Sequence, residues 1–425
     1  MFPHMVLIHN QEYNSQRLED VEKEFEKGFE SLRLSAEEIR GKKIGIAVGS
    51  RGIDRIQKIV RMTVQAVREA GGDPYIFAAM GSHGNGTARG QREILASLGV
   101  TEEETGAPVL CSAQTALWGA TGQHGYKVYG NELCGRFDAI ILVNRVKMHT
   151  DFEDVTESGV LKLMAIGIGG PAGCQNVHAL ALKDGYGTVI RETAAFMMEK
   201  LPVLFGVLLT ENAVHELDGI YMERPEKFLE TEKRLLEKVK RGRMKLPSDS
   251  IDVLIVDEMG KNISGSGMDT KVIGRVYVTG QREPKSPRVK RLAVLGLTEE
   301  SHGNAIGIGL ADFSTRAVLE KTDFAATAKN AVASMAPAQG KIPCILENDR
   351  EAIRAALETA GLEDIERARV VRIQNTNQIA RLYVSEALYE ELKEDPEIRL
   401  LGDPLPMEFD GQGNLKPGHY GKGDR

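Results

Sequence analysis

Residues 43–86 read KIGIAVGSRGIDRIQKIVRMTVQAVREAGGDPYIFAAMGSHGNG, and their order decides the fold class. Lys43–Val48 is a short apolar run of strand length that ends in Gly49-Ser50-Arg51-Gly52. Asp54 opens a helix that runs to about Glu69, with Ile56, Ile59, Val60, Val64 and Val67 on one face. Gly71-Gly72-Asp73-Pro74 stops it, and Tyr75–Met80 reads as a second strand. The turn Gly81-Ser82-His83-Gly84-Asn85-Gly86 follows, and Thr87 starts another helix that continues through Leu98. Strand, glycine turn and helix in this rhythm predict parallel strands joined by crossover helices. In such sheets ligands sit at the carboxyl ends of the strands, which is where Arg51 and His83 fall.

Outward from this stretch, Ala139-Ile140-Ile141-Leu142-Val143 is another buried strand. It leads into NRVKMHTDFEDVTESGVLKLMAIGIGGPAGCQNVH, residues 144–178, which carries His149, Lys162, a glycine run and His178. A segment that only had to pack would not need that mixture. Upstream, residues 13–40 read as helix. Downstream, Val189–Lys200 reads as helix, Val203–Thr210 as strand, and Pro225–Arg241 as an exposed charged helix. Met244–Ser250 is the linker candidate, and Ile251–Val256 begins a second α/β series with strands at Arg291–Leu297 and Arg367–Ile373 and a helix over Ser314–Glu320. The expected fold class is therefore α/β: two α/β domains with mainly parallel sheets and a ligand cleft between them. The expected bounds are 1–245 and 251–410, with 411–425 a polar, glycine-rich C-terminal extension.

The 425 residues give ample core for two domains. A charged fraction of 27% and a formal net charge of −7, with no block of lysine and arginine, give nucleic-acid binding no electrostatic support. No apolar run approaches the roughly 20 residues of a membrane helix, and the N-terminal segment lacks the pattern of a signal peptide. Cys111, Cys134, Cys174 and Cys344 are scattered without CxxC spacing, which fits a reducing cytoplasm. The one tryptophan, Trp118, is read as packing or interface.

Several residues could carry chemistry. His83 and His149 are either turn histidines or general acid/bases at the ends of two strands. Lys162, among apolar neighbours, is either a snorkelling surface residue or a desolvated amine able to serve as nucleophile or attachment point. Gly167-Ile168-Gly169-Gly170 behind it would let backbone N–H groups approach a phosphate. His178 is a structural histidine or a metal ligand. Arg51 and Lys261 are the anion readers, or else solvated charges. P-loop, zincin, esterase and dinucleotide motifs are all missing.

Taken in order and spacing, Gly49-Ser50-Arg51, Gly81-Ser82-His83, His149, Ser158-Gly159-x-x-Lys162 and His178 resemble the nickel-dependent lactate racemase family. The resemblance implies a nickel pincer nucleotide: a pyridinium mononucleotide, covalently linked, with sulfur-bearing arms and a nickel–carbon bond. It implies Lys162 as the attachment lysine and His178 as the nickel ligand. His83 and His149 match the paired acid/bases, Arg51 the substrate-reading arginine and, more loosely, Lys261 the second-domain substrate lysine. The implied reaction is racemisation or epimerisation of a small-molecule 2-hydroxy acid by reversible hydride transfer to that cofactor, which the enzymes of cofactor synthesis must supply. A metal-dependent hydrolase or lyase using the same histidines, or a ligand-binding protein without turnover, are the alternatives.

The chain departs from the family pattern in three places. The arginine turn is Val48-Gly49-Ser50-Arg51 rather than Asp-x-Thr-Arg, Gly84 rather than arginine follows the first histidine, and the lysine segment is the plain SGVLK. The expected substrate is thus a larger or more polar 2-hydroxy acid, such as a sugar acid, rather than lactate.

Overall fold

The computed structural model describes residues 2–11, 13–150 and 152–421. The chain forms two compact units, one of Asn14–His149 and Glu153–Arg243, the other of Met1–Tyr13, Thr150–Phe152 and Met244–Arg425.

In the first unit, five parallel strands lie in the order Val109–Leu110, Asp73–Ala78, Lys43–Val48, Ala139–Arg145, Val203–Glu211. Leu217–Glu223 closes the edge antiparallel. The central strands are unbroken apolar runs because both faces of the sheet are covered. Ile44, Ile46, Ile141 and Val143 pack in one core with Ile59, Val60, Val64 and Val67 of the helix Ile56–Glu69. Each such buried side chain is worth roughly 1.5–3 kcal/mol. Gly45 leaves room for Phe137, whose ring would lie 2.4 Å from an added Cβ. From Lys43–Val48 the chain builds outward to one side through Asp73–Ala78 and Val109–Leu110. It then returns to pair on the other side with Ala139–Arg145. That reversal is the switch point at which open α/β sheets bind ligands.

The second unit holds eight strands in the order Cys344–Leu346, Phe313–Thr315, Arg288–Val294, Ser250–Val256, Val370–Ile373, Arg381–Ser385, Met5–Asn10, Ile398–Leu400. The first five are parallel and the rest antiparallel.

Several expectations need correction. The N-terminal strand Met5–Asn10 pairs with Arg381–Ser385 and Ile398–Leu400, so Met1–Tyr13 belongs to the second unit and not to a 1–245 domain. The stretch from Gly411 is not a loose extension. Leu415 is buried, Lys416 O accepts from Arg372 at 2.9 Å, and Tyr420 Oη donates to Asp257 Oδ2 at 2.8 Å; residues 422–425 lie outside the described residues. The single helix read over 13–40 is two, Val21–Ser31 and Ala36–Ile39, the second begun by a Ser35/Glu38 capping box. Phe313–Thr315 is strand, and Thr315 caps the helix Arg316–Lys321. The strand read at Arg291–Leu297 is Arg288–Val294. The helix Phe228–Gly242 is not exposed all round: Phe228, Thr231, Glu232, Leu235 and Leu236 form a buried face. Trp118 lies in a hairpin of Thr115–Ala120 with Lys127–Asn131, its indole over Gly130. Among the described residues no helix is long and apolar enough to cross a membrane.

Candidate active site

Three strand ends and one helical segment of the first unit build the site. The first turn, Gly49-Ser50-Arg51, follows Lys43–Val48, and Ser50 Oγ is hydrogen-bonded to His83 Nδ1. His83 itself flanks the turn Gly84–Gly86 and is exposed. Its turn rests on the segment that carries Lys162 and His178: Gly81 N donates to Gly167 O at 3.1 Å, and Ser82 Oγ lies 3.4 Å from Cys174 Sγ. Gly84 has φ +66, and a Cβ there would lie 2.4 Å from the carbonyl carbon of Gly90. The backbone itself therefore excludes a side chain after His83.

His149 follows the strand Ala139–Arg145 on a loop closed by paired backbone bonds between Lys147 and Ser158, both 3.1 Å. Its N–H donates to Glu157 Oε2 at 2.6 Å, and Glu157 Oε1 meets Lys240 Nζ at 2.8 Å. Burial pushes the His149 imidazolium pKa well below its ordinary value, and the charges of Lys162, Lys147, His178 and Arg51 push it further the same way. His149 is thus neutral at neutral pH, the form a proton acceptor needs. Lys162, Lys147, His178 and Arg51 are thus all near enough to His149 for their charges to act on it. Arg145, paired with Glu211, is also held down, to about 10, first by burial and then by Arg51. A concentration of positive charge on a strand-end surface attracts anions.

Lys162 ends the short helix Val160–Lys162, whose start is capped from another element. Glu232 on the helix Phe228–Gly242 accepts from Leu161 N at 2.9 Å, and the N–H of Val160 also favours its carboxylate form. Burial raises the Glu232 carboxyl to about 7 against these bonds, which act to lower it. Gly159 makes this contact possible, since an added Cβ would lie 2.2 Å from Glu232 Oε1. Beyond Lys162 the chain enters a π-helical turn, Leu163–Ile168, with Gly169 N bonded to Met164 O at 3.2 Å. Such turns insert a residue into a helix and re-aim the side chains on either side. The helix Gly170–Asp184 follows with Pro171 in its first turn and carries His178.

Tyr186 connects the two histidines of this segment. Its hydroxyl lies 2.9 Å from His178 Nδ1, its ring meets the His178 ring edge-on at 5.3 Å, and it stacks against His149 at 6.2 Å and 25°. Of the residues expected from sequence, Arg51, His149, Lys162 and His178 come together, and His83 joins them through Ser50 and Gly81. Lys261 belongs to the other unit, on the loop after Ser250–Val256, where its Nζ donates to Gly265 O at 2.6 Å and its backbone N donates to Ser301 Oγ at 2.9 Å. Sequence reasoning missed Tyr186, Glu232, Glu157 and Lys147. Only Glu232 had a usable signal, its place in the i, i+3, i+4, i+7 spacing of Phe228, Thr231, Glu232 and Leu235. Among the described residues no group of three or more His, Cys, Asp or Glu side chains is placed to hold a metal ion by itself.

Solved structures share this fold. The lactate racemase apoprotein from Thermoanaerobacterium thermosaccharolyticum superposes with a TM-score of 0.52 at 12% identity, covering 88% of this chain and 99% of that one. A Thermotoga maritima protein from a structural-genomics programme gives 0.52 at 14% identity, over 84% of this chain and 97% of its own. The likeness is one of fold. No protein-family model matches the chain, and no curated protein does.

Proposed function

We propose that the chain is an isomerase, a racemase or epimerase of a 2-hydroxy acid that carries the nickel pincer nucleotide. The observation that carries this reading is the gathering of a neutral His149, Lys162 and His178 within one positive field, on the fold of a lactate racemase apoprotein.

The residues present fit the cofactor. Lys162 offers an amine for covalent attachment at the mouth of a re-aimed turn. Gly167, Gly169 and Gly170 are packed against Ala79 O, Ala165 O and Thr115, so the glycine run serves close packing and is not the open phosphate loop expected from sequence; it is the surrounding cations that suit the phosphate of a mononucleotide. His178 would give the nickel an imidazole nitrogen. When bound, the group supplies a reversible acceptor for the hydride of the substrate carbon. The protein supplies the rest. Arg51 binds the substrate carboxylate. His149, kept neutral by its surroundings, takes the hydroxyl proton of one enantiomer. His83, whose Nδ1 is engaged by Ser50, exchanges its proton at Nε2 and serves the other enantiomer. One histidine removes a proton and the opposite one returns it, so inversion requires both. The backbone-filled turn at Gly84 removes a family cation from beside His83 and favours a substrate more polar than lactate, of the sugar-acid kind.

The test is expression together with the cofactor-synthesis enzymes, followed by intact-mass and nickel analysis and by enantiomer exchange over a panel of 2-hydroxy acids. The expected result is a mass increment lost in Lys162→Ala, stoichiometric nickel, and exchange abolished in His83→Ala and His149→Ala. An unmodified Lys162 with no nickel sinks the reading. Activity restored by a simple metal salt without an adduct would favour a metal-dependent hydrolase or lyase instead.

A further inference from the structure

We infer that Tyr186 is the positioning residue of this site, fixing the tautomer of His178 through its hydroxyl and the orientation of His149 through its ring. The inference rests on the proposed role of His178 as metal ligand and extends it to a residue that no sequence motif marks.

Tyr186 is only 3% exposed, so its hydroxyl has exchanged water for protein partners. It opens the helix Tyr186–Lys200 directly after Gly185, which caps the helix bearing His178. The reversal at Gly185, with φ 78 and ψ 147, folds the tyrosine back along the helix it has just left. Its Oη then stands 2.9 Å from His178 Nδ1, with the two rings at 85°. A neutral imidazole carries its proton on one nitrogen only. If Nδ1–H donates to Tyr186 Oη, the lone pair is on Nε2, and the ring can bind metal there without first moving a proton. Metal-binding histidines are held in this way by an acceptor at the other nitrogen, and losing that acceptor typically weakens metal binding by 10–100-fold. The other ring contact is independent of the hydroxyl. The tyrosine face lies nearly parallel to His149, 25° off at 6.2 Å, and so limits how that imidazole can turn. One side chain thus sets the base and the ligand relative to each other.

The two contacts can be separated by substitution. Tyr186→Phe keeps the stack and removes the hydroxyl, whereas Tyr186→Leu removes both. The first measurement uses apoprotein labelled with 15N-histidine at pH 8 and reads the ring nitrogens of His178 and His149. The wild type is expected to show His178 with Nδ1 protonated, Tyr186→Phe to lose that bias while His149 is unmoved, and Tyr186→Leu to shift both. The second measurement uses protein co-produced with the cofactor-synthesis enzymes. Tyr186→Phe is expected to keep the Lys162 mass increment but to release nickel to a competing chelator at a concentration 10–100-fold lower than the wild type requires. A wild-type His178 protonated at Nε2, or a tautomer unchanged in Tyr186→Phe, overturns the inference. Nickel retention equal to the wild type in a Tyr186→Phe protein that carries the adduct overturns it as well. Failure of the wild type to form the adduct overturns the proposed function instead, and the nitrogen spectra still decide the role of Tyr186.

Discussion

Glu232 makes the stability of the site-bearing unit depend on pH in a direction that can be worked out. Its carboxyl is 1% exposed and caps the turn leading to Lys162, and burial raises it from 4.5 to about 7. Below about pH 4.5 the folded and unfolded chains are both protonated at this group. Between 4.5 and 7 the folded state keeps a proton that the unfolded chain has lost, so stability falls as pH rises and levels off above 7. The whole difference is on the order of 3 kcal/mol, of which about 2.5 kcal/mol is lost between pH 5 and pH 8. Glu232→Gln keeps a carbonyl oxygen for Leu161 N and removes the titration. The stability of the variant relative to the wild type should therefore rise by about 2.5 kcal/mol over that interval. With a urea dependence of about 2.5 kcal/mol per molar, this is a relative midpoint shift of about 1 M. Trp118 is the only tryptophan and lies in the same unit, so its fluorescence follows the relevant transition. Comparing the two proteins at each pH cancels His149, whose depressed pKa acts in the opposite sense, with stability lost as pH falls below its ordinary value of 6.5. Parallel curves for wild type and variant from pH 5 to 8 would refute the reasoning.

Gly159→Ala puts a Cβ 2.2 Å from Glu232 Oε1 and should cost about 1–3 kcal/mol by urea unfolding, with the Gly159→Ala/Glu232→Ala pair costing clearly less than the sum of the singles. Additive costs would mean that the two residues do not meet. Of the neighbouring charges, that of Lys162 acts most on His149, so Lys162→Met should raise the His149 pKa in the apoprotein, read by NMR titration of its ring protons. An unmoved titration would place Lys162 away from the histidine. Gly84→Arg should destabilise the unit by about 2 kcal/mol, because φ is +66 and the backbone of Gly90 fills the space. A folded Gly84→Arg protein as stable as the wild type would show that the turn can open.

How much of this was legible in the sequence follows from the range over which each feature is determined. Lys43–Val48, its glycine turn and the helix after it are local facts, and the parallel sheet follows from them. The strand Met5–Asn10 was not legible, because its pairing with Arg381–Ser385 is set by a partner at the far end of the chain. The site divides the same way. Arg51, His83 and His149 announce themselves because a strand end is a local event. Lys162 and His178 stand out only through their spacing, and the π-turn between them leaves no mark in composition. Tyr186 looks like an ordinary aromatic until folding brings it against two histidines, and Glu232 shows only as an acid on the apolar face of its helix until folding brings it under the Lys162 turn. Their roles are relations between side chains, and a linear reading holds no term for them. Gly84 argues the point from the other side. In the linear sequence it is one glycine of a turn. In the fold it is the residue that lets the Gly84 and Gly90 backbones touch, so it sets how the His83 turn is packed.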